Sequence, residues 1–364
     1  MNRHQKYLYL ELMRILACFF VIFNHTGNNG FFLFSQRPWG GLQFWIYMFV
    51  SIFCKFSVPV FFAISGALLL SKNEEPLKAL WCRRIARIAG SLLAFSLIYY
   101  IAEIFLGRQT WNLSKFFSQL YDSNWNFSFW YLYAYLQMLI TLPLLRALAR
   151  NLENQYFYYG FAVALFFYAV LPTVQFLLWQ DRHSLNGNLR PGWLTANTVM
   201  YPLMGYFLHN KVCSIEKKGR LISLMWVFNV LTIALCCIMT YKKAKLTGEC
   251  SEGVSQTFHN TFVMVNTAAI FLSSKYLAVT YEDKLSQWFK KAVFAVGKGT
   301  FGIYLWHVLV LRLLTRFKIW ELFRDKLDLN YMISAFLVCL CVMVAGYGLT
   351  WPMQKIPLIR KLVS

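Results

Sequence analysis

The chain has 364 residues, of which 58% are apolar, 19% aromatic and only 14% charged, yet its formal net charge is +21. A soluble domain carries nearer a quarter charged residues, so the composition excludes a water-soluble globular protein and points to a polytopic membrane protein. The Lys and Arg excess lies in short segments between apolar runs, as in proteins oriented by basic loops. No basic stripe on a soluble module is present, which excludes nucleic acid as a partner.

Apolar runs long enough to cross a bilayer core recur along the whole chain. They predict ten spans, at 7–24, 42–70, 88–106, 129–148, 156–178, 193–209, 221–241, 260–278, 299–315 and 330–350. The expected fold is an all-α polytopic helical bundle forming a single domain over 1–364. The first span reads as a retained helix rather than a cleaved leader: it is long, carries Arg14 and is followed by no small-x-small site. An even number of spans puts both ends on one side. With the termini inside, the inner segments hold 21 Lys and Arg and the outer segments 12, which favours cytoplasmic termini. The segment after the ninth span, with Arg316, Lys318, Arg324 and Lys326, is unusually basic for an outer loop. The loops "SKNEEP", "NGNLRPG" and "TGECSEG" carry turn formers, and none is large enough to fold alone. The nine cysteines are scattered, six of them in apolar runs, so no structural disulfide is expected. No ligand spacing suggests a metal.

All chemistry must therefore come from polar residues within or beside the spans. The first span reads "ELMRILACFFVIFNH" from Glu11 to His25. Arg14 and His25 are eleven steps apart, which returns to within about 20° on a helix and separates them by roughly 16 Å along its axis. Glu11 lies on the same stripe. Charges are costly in lipid, so this stripe should face the bundle interior or a water-filled cavity. One reading makes Glu11 and Arg14 a structural pair and His25 an outer cap. The other makes a polar tunnel with an anion-holding arginine low down and a general base high up.

The second span, "KFSVPVFFAISGALLL", places Lys55 inside an apolar run, Pro59 where it interrupts helical bonding, and Ser65-Gly66 where backbones can approach. Lys55 either snorkels to the interface or serves a substrate. "WCRRIARI" then brings Arg83, Arg84 and Arg87 onto an inner amphipathic turn. That cluster suits phosphate oxygens, or else simply anchors the chain to anionic lipid. "FWYLYAYL" at 129–136 reads as an aromatic belt or as a stacking platform for a sugar. "FGIYLWHVLVL" puts His307 midway along the ninth span, where a helix-to-helix hydrogen bond is the ordinary role.

Together these stretches resemble the acyltransferase-3 family of integral membrane acyltransferases, which typically have ten spans and pair an arginine with a histidine in the first helix; here these are Arg14 and His25. The likeness runs through "VPVFFAISGALLL", "RRIARI", "FWYLYAYL" and "FGIYLWH" in the family's order, so it covers essentially the whole chain. Within the family it is most similar to bacterial enzymes that O-acetylate or O-succinylate surface polysaccharides. Two positions depart from those relatives: Lys55 is usually arginine, and Glu11 is often aspartate. The resemblance implies a bacterial inner-membrane enzyme. Its donor is cytoplasmic acyl-coenzyme A, with acetyl-CoA expected, and its acceptor a hydroxyl of an extracytoplasmic or lipid-linked glycan. On that reading His25, with Glu11, carries the catalysis. Arg14, Arg83, Arg84, Arg87 and Ser65 contact the donor. Lys55, Trp130, Tyr133 and His307 contact the acceptor. Membrane lipid, further copies of the chain and glycan-synthesis proteins are the other expected partners. A transporter or flippase would also have ten spans and buried charges, but the two halves show no matching pair of broken segments of the kind inverted repeats produce. A structural or sensory role for the charged stripe is the remaining alternative.

Overall fold

A computed structural model describes residues 7–72, 75–180 and 182–363. The described residues form helices, turns and loops, without a strand. The principal helices are α1 (Leu8–Asn24), α2 (Leu42–Leu69), α3 (Leu77–Phe105), α4 (Leu113–Asp122), α5 (Phe127–Ile140), α6 (Leu142–Asn151), α7 (Asn154–Trp179) and α8 (Asn197–Tyr206, continued by a wide turn at Phe207–Lys211). They are followed by α9 (Gly219–Thr247), α10 (Val263–Tyr281), α11 (Gln287–Arg316), α12 (Tyr331–Lys355) and α13 (Pro357–Val363). Seven of these helices, some with adjoining turns, are by themselves long and apolar enough to cross a membrane, and α5 with α6 makes an eighth candidate bent by 61°. The remaining two expected spans fall on α1, with 17 residues, and on α8, with 10 before its wide turn. At 1.5 Å per residue α1 is about 25 Å long, just short of a typical hydrocarbon core.

Three expected boundaries move, each for a local reason. The fourth span is broken because Pro143 follows Thr141-Leu142 and cannot continue the helical ladder. The third begins eleven residues earlier than its apolar run. Arg83 and Arg84 are therefore part of a π-turn, Leu80–Ile85, inside α3 rather than on a separate turn. The ninth begins at Gln287, where Ser286 caps the helix by accepting from the Phe289 N–H.

The charge-bearing α1 occupies the middle of the bundle. It packs against α11, the second half of α2, α10 and α12, so its polar stripe is sheltered from lipid. Close backbone approach makes this possible. Gly66 of α2 lies against the Pro202 backbone of α8, and Gly205 of α8 against the Ala63 backbone, so a Cβ on either would overlap a main-chain carbonyl. Gly297 of α11 leaves the space that the Glu11 carboxylate fills.

Pro59 and the 3-10 turn Cys54–Phe56 interrupt the ladder of α2. Asn266 of α10 donates to the Phe53 carbonyl at the start of that turn at 2.6 Å, and Asn229 of α9 donates to Asn266 at 3.2 Å. Such buried relays are how interrupted helices survive without water. At the Glu11 end of the bundle, Arg146 donates to the Leu69 carbonyl and Asn210 to Ser71, while Leu362 accepts from Ser91.

Candidate active site

His25 follows the last residue of α1 and is half-buried, its backbone N–H returning to the Ile22 carbonyl. Its Nδ1 lies 2.9 Å from Nε2 of His307, which is fully buried on α11. Nδ1 of His307 faces the Tyr304 carbonyl one turn back. A carbonyl only accepts, so His307 Nδ1 must carry the proton, leaving its Nε2 as a lone pair when the ring is neutral. Nδ1 of His25 must then donate to that lone pair. The arrangement thus assigns His25 the tautomer whose Nε2 is free to take a proton. The ring packs edge-on against Phe127 at 4.9 Å between centroids.

His25 borders a cavity of about 740 Å³ built mainly from α1, α2, α5, α7, α8, α11 and the segment before α10. Its polar wall includes Asn24, Lys55, Asn197, Glu252, Gln256 and Asn260, and its aromatic wall includes Trp130, Tyr131, Tyr168 and Tyr201. Lys55 is held by a cation–π contact, its Nζ 4.5 Å from the Phe31 ring centre. It lies within electrostatic range of both His25 and Glu252. The cavity therefore offers a base, one cation, one carboxylate and stacking faces, which is how a polyhydroxylated ligand is held. A second cavity of about 590 Å³ is lined by the same His25 and Phe127.

The expected site residues divide. His25, Lys55 and Trp130 come together around the larger cavity. His307 does not line it; its ring instead meets His25. Tyr133 lies outside it as well: its hydroxyl donates to the Leu120 carbonyl at 2.6 Å, pinning α5 to α4, and Tyr131 lines the cavity. Successive positions on α5 project in different directions, so the aromatic run did not reveal which tyrosine turns inward. Ser65 donates to Phe61 in its own helix and is not a cavity wall.

Glu11 and Arg14 pair at 2.5 Å near the opposite end. Fourteen residues of helix, about 21 Å, separate Glu11 from His25, so the two do not share one cavity wall. The larger cavity meets α1 only from Val21 onward and does not include Arg14. Its nearest link to that arginine is Tyr131, which lies in the electrostatic range of Arg14 and in ring contact with Tyr135 and Tyr304.

The arginine cluster is also divided. Arg84 donates to Glu75 at 2.6 Å, and buried Arg146 reaches the same carboxylate oxygen at 3.2 Å. Burial alone would raise the Glu75 carboxyl, but the hydrogen bonds and charges of Arg84 and Arg146 outweigh it and hold it below the ordinary carboxylate range. Arg83 and Arg87 remain exposed at this end. Glu75, Arg146, Glu252 and Tyr304 were not singled out from the sequence. Glu75 sits in a loop and Glu252 opens a short helix, Glu252–Gln256, and no local spacing marks their partners.

The acyltransferase-3 family model, an acyltransferase domain, matches residues 7–352. The chain belongs to the acyltransferase-3 family. No curated protein and no solved structure matches the chain. The membership makes this helical membrane protein an acyltransferase, and it agrees with the likeness drawn from "RILACFFVIFNH" and the stretches that follow.

Proposed function

We propose that this acyltransferase-3 member moves an acyl group, with acetyl expected, from cytoplasmic acyl-coenzyme A to a hydroxyl of an extracytoplasmic or lipid-linked glycan at the bacterial inner membrane. The observation that carries the reading is the His25–His307 pair at the wall of a polar, aromatic-lined cavity. His25 Nε2 takes the proton of the acceptor hydroxyl as its oxygen attacks the thioester carbonyl. The carbon–sulfur bond breaks, and the imidazolium returns the proton to the departing thiolate. His307 keeps His25 in the competent tautomer. Trp130 offers a half-exposed ring face for a sugar, and Lys55 places a cation near the developing oxyanion.

At the far end, exposed Arg83 and Arg87 suit the phosphates of the donor nucleotide, while Arg14 would meet the donor arm within the bundle. The larger cavity stops short of Arg14, so the donor arm reaches His25 only if side chains around Tyr131 move aside. Surface glycans from cells with and without the gene, compared by mass spectrometry, test the proposal. A mass gain of one acetyl or succinyl group per repeat, present only with the wild-type gene and lost in His25→Ala, is the expected result. Identical glycans in both strains would defeat it.

A further inference from the structure

The second cavity beside His25 is not explained by acyl transfer alone. Its wall carries Arg108, Arg312 and Arg316 but one carboxylate, Glu103, together with Thr26, Asn29 and Thr315. Glu103 is shared: one oxygen lies 2.6 Å from Arg312 and the other 3.5 Å from Arg108. Among the described residues no carboxylate pairs with Arg316. The cavity thus keeps a net positive charge, focused between apolar walls of Ala102, Leu106, Val308 and Leu309.

The wall is also braced. Arg324 donates to the Asn29 side chain at 2.9 Å and to its carbonyl at 2.6 Å, and its guanidinium lies over the rings of Trp320 and Tyr331. Arg316, Trp320 and Arg324 belong to the segment after the ninth expected span, whose basic character runs against the charge rule for an outer loop. A cation-rich loop on that side needs a reason, and the cavity supplies one.

We propose that this basic cavity binds an oxyanion, a carboxylate or phosphate, carried by the acceptor, so that the protein acylates an anionic glycan rather than a neutral one. The inference rests on the glycan acyl-transfer reading and narrows its substrate class. His25 and Phe127 form the partition between the two cavities. A glycan anchored by its charge in the basic cavity extends past His25 into the larger cavity, where the Trp130 ring takes its neighbouring sugar and a hydroxyl meets the His25 ring. Along α11, Arg312 lies about 7 Å and Arg316 about 13 Å beyond His307, within reach of a short oligosaccharide. The guanidinium fork matches either oxyanion.

The test uses the full-length protein in phosphatidylcholine nanodiscs and measures equilibrium binding without any acyl donor. The probes are tetraglucuronate, its carboxyl-reduced neutral twin and a short polyprenyl diphosphate. Tetraglucuronate should bind at least tenfold tighter than the neutral twin. Arg316→Gln should abolish that preference while unfolding at the wild-type temperature, since Arg316 is exposed. Lys326→Gln, from the same segment but outside the cavity wall, should change nothing. Tight, Arg316-dependent binding of the diphosphate instead of the uronate supports the site and assigns the oxyanion to a lipid carrier. Equal affinity for charged and neutral probes, or wild-type binding by Arg316→Gln, overturns the inference. Turnover with acetyl-CoA separates the two readings. Binding through Arg316 without acylation would defeat the acyl-transfer reading and keep the site, whereas equal acylation of charged and neutral twins would defeat the site alone.

Discussion

Replacing His307 by phenylalanine removes the Nε2 lone pair that accepts from His25 Nδ1 while keeping an aromatic ring against Tyr304, whose ring stacks on His307 at 5.4 Å. The bond lost is the 2.9 Å contact from His25 Nδ1. A hydrogen bond of this kind contributes about 0.5–1.5 kcal/mol net. Through the tenfold-per-1.4 kcal/mol relation, that corresponds to a loss of about 2- to 12-fold in kcat. The Michaelis constant for acetyl-CoA should stay within about twofold, because His307 lines neither cavity and is expected to touch no donor atom. His307→Gln restores an accepting oxygen near the position of Nε2 and should recover most of the rate. Steady-state transfer from acetyl-CoA to a glycan, measured in nanodiscs for all three proteins, is the assay. Wild-type turnover in His307→Phe would refute the tautomer argument. Equal losses in the phenylalanine and glutamine variants, with lowered unfolding temperatures, would show that His307 only packs α11.

Four further predictions concern His25 itself and the charged cluster at the opposite end of the bundle. His25→Ala should leave acetyl-CoA binding intact while transfer falls by about 10²- to 10⁴-fold, the usual worth of a positioned base; binding and turnover measured on one preparation decide this. Arg83→Lys with Arg87→Lys should weaken acetyl-CoA by about tenfold but leave acetylated pantetheine unaffected, because lysine keeps the charge and loses the fork. Arg84→Lys should act on thermal stability instead, through Glu75. Glu75 has a depressed carboxyl, so its contribution to stability is present at neutral pH and is lost as pH falls below about 4.5, its ordinary value. Unfolding temperatures of wild type and Glu75→Gln should therefore differ at pH 7 and converge at acidic pH, and a gap that stays constant with pH would contradict the pairing.

The sequence by itself determined the class of this protein and the neighbourhood of its chemistry. Long apolar runs admit few folds in lipid, because every backbone polar group must be satisfied within a helix. A helix that carries Glu11 and Arg14 has to lie inside the bundle, since lipid cannot solvate them. His25 and Lys55 were legible for the same reason: each is a polar residue whose presence in or beside an apolar run demands a cavity or a partner. Gly66 was legible because only a small residue permits the backbone approach seen against Pro202.

The tertiary structure decided the partners. That His307 serves His25 depends on α11 lying beside α1, a relation between residues 282 positions apart that no local spacing encodes. That Arg84 belongs to Glu75 and Arg146, while Arg83 and Arg87 stay exposed, follows from a π-turn that rotates side chains by a fraction of a turn. Tyr131 rather than Tyr133 reaches the cavity because the two-residue step between them turns the helix by about 200°. The second cavity needed three distant segments, around Glu103, Phe127 and Arg316, to converge on His25. Helical periodicity and the cost of charge in lipid act on neighbours along the chain and can be read from it, whereas hydrogen-bond pairing and cavity walls depend on angles and distances between helices, which exist only once the bundle has packed.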